Sequence, residues 1–171
     1  MTLSVRLLLL WALAATFIAA QQPADEIQDP PPGPEQPIPY SHKTHLKLGL
    51  KCADCHINRD PGENMGIPES SKCMACHTSI AKDKSAIQKL ASFYKEKQPI
   101  PWVRVYSVSS TITWSHRSHL KAGLSCKLCH GDVDQIDVMT RLMNVTTMDG
   151  CVGCHKDNQA DPSCGVCHEG K

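Results

Sequence analysis

The stretch Tyr40-Ser41-His42-Lys43-Thr44-His45-Leu46-Lys47-Leu48-Gly49-Leu50-Lys51-Cys52-Ala53-Asp54-Cys55-His56 decides the fold, because it is written twice. It returns 74 positions later as Trp114-Ser115-His116-Arg117-Ser118-His119-Leu120-Lys121-Ala122-Gly123-Leu124-Ser125-Cys126-Lys127-Leu128-Cys129-His130, with ten of the seventeen positions identical. Self-similarity of this kind marks a duplicated structural unit. Each copy closes on Cys-x-x-Cys-His. The same pentapeptide occurs three more times, as Cys73–His77, Cys151–His155 and Cys164–His168, so all ten cysteines lie in five such motifs.

Cys-x-x-Cys-His is the attachment pattern of c-type haem. Two thiols three positions apart reach the two vinyl groups of one haem edge, and the histidine that follows lies under the porphyrin as an axial ligand. The pattern therefore predicts five covalent haems, held through Cys52, Cys55, Cys73, Cys76, Cys126, Cys129, Cys151, Cys154, Cys164 and Cys167, with His56, His77, His130, His155 and His168 on the irons. Zinc would pair two Cys-x-x-Cys units per ion and leave one over. Disulfides would use ten cysteines evenly but would not explain five trailing histidines.

Composition agrees. Without the first 20 residues, Leu, Ile, Val and Phe make up 26 of 151 positions, about 17 %. That is below the roughly 20 % under which a chain struggles to build a core, while the high net charge that accompanies disorder is missing. Five flat apolar haems supply the missing interior. The fold expected is mostly irregular and haem-cored, with a few short helices and duplicated haem modules.

Nine histidines minus five leave His42, His45, His116 and His119, two His-x-x-His pairs. Residues i and i+3 share one side of a helical turn, so each pair can reach two different irons. Four spare histidines cannot complete five irons. Met65, Met74, Met139, Met143 and Met148 compete for the fifth. Met148, three residues before Cys151, is preferred over Met139 and Met143, and an open iron is the remaining option.

Residues 1–20 carry Arg6, then an apolar run ending in Ala19-Ala20, the order of a secretory signal peptide. The run is also readable as a retained anchor, though short of the ~20 residues that span a bilayer. Either way the chain works outside the cytoplasm, in the periplasm, with membrane association possible through this segment or through partners. Seven of twelve prolines lie between Pro23 and Pro39, so 21–39 reads as an extended linker outside the fold. The haem domain is then 40–171, comprising a dihaem module 40–98, a connector 99–115 and a trihaem module 116–171. Ile87, Leu90, Ala91 and Tyr94 predict an amphipathic helix over 82–98, ended by Pro99 and Pro101. Trp102–Tyr106 and Thr111–Trp114 predict a small hairpin.

The His-x-x-His-Leu-Lys-x-Gly-Leu-x-Cys-x-x-Cys-His block resembles the class III multihaem cytochromes, the c3 and c7 type, and 116–168 resembles a whole three-haem member. The resemblance implies that His116 caps the haem on His130, His119 that on His155 and Met148 that on His168. By the repeat, His42 caps the haem on His56 and His45 that on His77. From Gly66-Ile67-Pro68 through Cys73–His77 to Pro101–Tyr106, the chain also resembles the pentahaem cytochrome subunit of alternative complex III, a membrane quinol oxidoreductase, and related subunits of menaquinone-linked complexes. It departs from that subunit at Asp149-Gly150.

Irons closed by two protein ligands change oxidation state but bind no substrate. The expectation is an electron-transfer protein rather than an enzyme, joining a quinol-linked membrane complex to other redox partners. A His/Met haem on His168 would be the high-potential, accepting end. The alternative is a multihaem reductase, with one open iron acting on a small oxyanion or nitrogen oxide. Near-zero net charge argues against nucleic acid. Haem propionates make the whole molecule acidic, which favours basic partners.

Overall fold

The computed structural model describes residues 25–168. The first 24 residues, where the signal or anchor was expected, lie outside them. Both His-x-x-His segments are helices, and the reason is at their ends. In α1 (His42–Lys47) the Ser41 hydroxyl caps the first turn by accepting from Thr44 N–H at 3.0 Å. In α5, whose bounds are His116–Lys121, Ser115 Oγ accepts from Arg117 N–H at 3.1 Å. Such caps satisfy amide donors that an α-helix leaves orphaned. Both helices stop at glycine: Gly49 at φ +87° and Gly123 at φ +83°. After α5 the bonds Gly123 N–H to Leu120 C=O (3.0 Å) and Leu124 N–H to His119 C=O (3.2 Å) complete a left-handed helix stop. The chain turns sharply there and delivers the next haem motif within three residues.

The motifs open further short helices: α2 (Cys52–Cys55), α3 (Ser70–His77), α6 (Cys126–His130), α7 (Met148–Asp157) and α8 (Cys164–His168). Between the repeats stands α4 (Ser85–Lys95). A 3₁₀ turn, Val133–Gln135, follows α6. Among the described residues there is no sheet, only a lone bridge between Glu26 and Met143. The fold is a string of short helices in irregular chain, as expected. The hairpin predicted between Trp102 and Trp114 is absent.

The helix predicted over 82–98 is shorter, Ser85–Lys95. It is stopped by Lys97 in the left-handed region (φ +53°) before the prolines act. Gln98 N–H then reaches back to Phe93 C=O at 3.0 Å. The inward face also shifts. Leu90 is buried and Ala86, Ile87, Ala91 and Phe93 pack around it, whereas Tyr94 is exposed. This face meets Cys73 and Met74 of α3, and Ile38, Ile100 and Trp102 complete the cluster.

Ile38 belongs to the stretch expected as a free linker, and that expectation is corrected. Residues 25–39 form a strap across the body. Ile27 N–H donates to Leu142 C=O at 2.9 Å. The Gln36 side chain brackets Val103, donating to its carbonyl at 2.9 Å and accepting from its N–H at 3.0 Å. Thr140 Oγ1 donates to Pro31 C=O. Prolines fix an extended shape without needing a ladder, and side chains supply the bonds.

No described side chain is completely shielded, and only five hydrophobic residues are buried. Leu48, Ile57, Ile67 and Ile80 are more than half exposed. Polypeptide alone makes a poor core, as composition foretold.

Candidate haem-binding site

Each His-x-x-His helix faces two motif histidines. On α1, His42 lies 6.5 Å from His56, ring centre to ring centre, with planes 10° apart, and His45 lies 6.1 Å from His77. On α5 the repeat recurs: His116 lies 6.4 Å from His130 at 11°, and His119 lies 6.2 Å from His155. A metal sits about 2.0–2.1 Å from an imidazole nitrogen, so two imidazoles on opposite sides of one ion have ring centres roughly 6.3 Å apart. All four separations fit one iron between each pair.

The other ring nitrogens fit as well. His45 Nδ1 donates to Ser41 C=O at 2.7 Å and His119 Nδ1 to Ser115 C=O at 2.9 Å. His56 Nδ1 donates to Gly66 C=O at 2.9 Å, His77 to Ile80 C=O at 3.0 Å and His155 to Asp161 C=O at 2.7 Å. His116 Nδ1 donates to Gly62 C=O at 3.2 Å. A carbonyl only accepts, so these six rings carry their proton on Nδ1 and keep the Nε2 lone pair for a metal. His42 is the exception: its Nδ1 is buried without a partner. Burial first, then the neighbouring His56, His45 and His130, push the His42 pKa down to about 4, which keeps the ring neutral. Burial also lowers His130 and His116.

Sequence reasoning missed the aromatic residue that opens each repeat. Tyr40 stacks on His45 at 4.3 Å and meets His42 edge-on at 4.9 Å. Trp114 does the same to His119 and His116, at 5.4 and 4.3 Å. One ring therefore orients both imidazoles of a pair. The signal was present, since position 40 and its repeat 114 are both aromatic. Tyr106, edge-on to His130 at 4.9 Å, accepts from Leu142 and Met143 N–H through its hydroxyl at 2.8 and 3.0 Å. Nothing in the motif spacing announced it.

The two repeats dock reciprocally. The start of α1 sits on the chain that follows Cys126–His130: His42 N–H donates to Asp137 C=O at 3.2 Å and Lys43 N–H to Ile136 C=O at 2.9 Å. The start of α5 sits on the chain that follows Cys52–His56: His116 N–H donates to Gly62 C=O at 2.9 Å and Arg117 N–H to Pro61 C=O at 3.1 Å. Ser41 Oγ donates to Asp137 Oδ1 at 2.6 Å, and Ser115 Oγ to Pro61 C=O at 3.1 Å. An Arg117–Asp60 ion pair adds to the second contact. These exchanges bring Cys126 and Cys52 into side-chain contact. Burial, and after it Cys52, raises the Cys126 thiol. Burial followed by Cys154 raises Cys129, and burial followed by Cys167 raises Cys151.

The fifth motif is different. His168 is exposed, and among the described residues no ring faces it across the span seen in the other four pairs. Met148 opens α7 and is 69 % exposed. Met143 is buried, as is Met74 in the α3–α4 cluster, so both serve packing. Among the described residues no three His, Cys, Asp or Glu side chains converge on one metal position, and no two of the ten cysteines are joined in a disulfide. No described helix is long and apolar enough to cross a membrane.

A family model described as cytochrome c3 matches residues 44–130, just over half of the chain. A protein of Nitratidesulfovibrio vulgaris, the multihaem cytochrome c subunit of menaquinone reductase, is 28 % identical, the match covering 79 % of this chain and 77 % of the relative. The chain belongs to the cytochrome c3 family, and is a multihaem c-type cytochrome that transfers electrons.

Proposed function

We propose that the protein is an exported pentahaem conduit that exchanges electrons with a quinol-linked membrane complex. Haem, when bound, supplies a one-electron iron couple at each motif. The residues do the rest. His42 with His56, His45 with His77, His116 with His130 and His119 with His155 would each hold one iron from both sides and leave it no position for substrate. Met148 is assigned to the iron on His168, for which its place beside Cys151 is the support. Residues 40–98 and 116–171 supply two and three haems, 99–115 joins them, and 1–20 directs export.

One observation carries this reading: the reciprocal docking of α1 and α5. Each helix ties two motifs together, and the docking sets the Cys52–His56 motif beside Cys126–His130. The motifs then run Cys73–His77, Cys52–His56, Cys126–His130, Cys151–His155, Cys164–His168, in space rather than in sequence. That order gives a line with two ends. The relative is by its name a subunit of menaquinone reductase, which supports a quinol-linked complex as one partner.

Deletion and add-back tests the proposal. Membranes from cells lacking this protein should lose quinol-linked electron exchange with soluble carriers, and purified holoprotein should restore it. Exchange that persists unchanged without the protein contradicts the proposal. A cyanide-binding iron that turns over an oxyanion would favour the reductase reading instead.

A further inference from the structure

A buried polar group without a partner is costly, so each one in a folded protein calls for a reason. Among the described residues, one buried side-chain nitrogen or oxygen lacks a partner, and it is His42 Nδ1. The duplication supplies its control. At the matching place in the second repeat, Gly62 C=O accepts twice, from His116 N–H at 2.9 Å and from His116 Nδ1 at 3.2 Å. In the first repeat the matching carbonyl is that of Asp137. It accepts from the backbone N–H of His42 at 3.2 Å and not from the ring. The Asp137 side chain is turned to Ser41, whose Oγ donates to it at 2.6 Å. Across the iron position, His56 Nδ1 is held by Gly66 C=O at 2.9 Å. The pair therefore has one held ring and one free ring. His130 has no protein acceptor among the described residues either, but its ring nitrogens are not shut off from water.

With Nε2 on a metal, a neutral imidazole carries its proton on Nδ1, so the orphan at His42 is an N–H donor. An Nδ1–H that donates to a carbonyl makes its ring a more basic ligand. A more basic ligand favours ferric over ferrous iron and lowers the potential, through the hydrogen-bonding lever on axial ligation. His42 is denied that help by the fold. We propose that His42 is a positioning residue for electrons, giving the haem on His56 the highest potential of the four bis-histidine haems. The inference rests on the conduit reading and its His42–His56 pairing. The second position of the line is then where a single electron shared among those four haems rests. Reduction there adds one electron to that iron; no bond forms and no proton moves.

Two measurements on full-length holoprotein test this. The first uses nuclear magnetic resonance of the wild type carrying isotopically labelled histidine. In the fully reduced protein the His42 Nδ1–H should resonate upfield of the hydrogen-bonded axial N–H groups and exchange slowly with deuterium. In partly reduced samples it should lose its paramagnetic shift before those of His45, His116 and His119. The second is a redox titration followed by electron paramagnetic resonance. His42→Ala should remove from the low-spin set the bis-histidine haem that is reduced first, and His116→Ala one that is reduced later. The wild-type spectra decide where a variant fails to take up its haem. A His42 N–H with a hydrogen-bonded shift, or an iron on His56 reduced after that on His130, overturns the tuning and leaves the conduit standing. Survival of every low-spin signal in His42→Ala overturns the pairing, and with it the reading on which the tuning rests.

Discussion

An imidazole that binds metal must present one bare nitrogen and have its other N–H held. Six histidines here meet that demand through backbone carbonyls, and the carbonyls come from residues of no special type, among them Ile80 and Gly66. That is why candidate ligands could be named from the sequence and their supports could not: a histidine announces its chemistry, a carbonyl belongs to every residue. The pairing leads to a sharp expectation for His45→Ala. One iron, that on His77, should become high-spin and bind cyanide, while the other low-spin signals persist in the electron paramagnetic resonance spectrum. Loss of more than one low-spin signal would mean that the pairing is wrong. Met148→His tests the fifth ligand. If Met148 binds iron, the highest of the potentials in a redox titration should fall, by on the order of 0.1 V out of the ~0.8 V that axial ligation spans. A titration in which no potential moves removes Met148 as a ligand.

At the scale of elements, the repeat was readable from identity at ten of seventeen positions, and the structure shows why both copies fold alike: a serine stands before each helix and a glycine after it. Gly123→Ala isolates the second of these. A Cβ at Gly123 meets nothing within 4 Å, so the penalty is backbone conformation alone at φ +83°. The cost should be roughly 1–2 kcal/mol, seen as a thermal midpoint a few degrees lower with haem content and spectra unchanged. An unshifted midpoint would show that the turn is not held left-handed in the native state. The elements misread are those decided by tertiary contact. Residues 102–114 have strand-forming composition but no partner strand, and Tyr106 is taken up by His130 and the 142–143 backbone instead. In α4, Phe93 and Tyr94 both suit an apolar face by spacing, and Phe93 takes the place beside Leu90.

Over the whole molecule, the low aliphatic content pointed to an interior that is not polypeptide, and the few buried side chains agree. Two larger features were hidden. The proline strap reads as linker because proline-rich chain has the same composition free or docked, and only Ile38 in the core and Gln36 on Val103 distinguish the two. The reciprocal docking depends on carbonyls at 61–62 and 136–137, which no motif marks. In the proposed conduit it is also what joins the two repeats into a single line of motifs. The most direct measurement of the central claim is intact-mass spectrometry of the protein purified from the periplasm, paired with a pyridine haemochrome assay. The account predicts a polypeptide heavier by five haems and five haemochromes per chain. A mass carrying fewer haems, or cysteines that remain free to react with a thiol reagent, would contradict it.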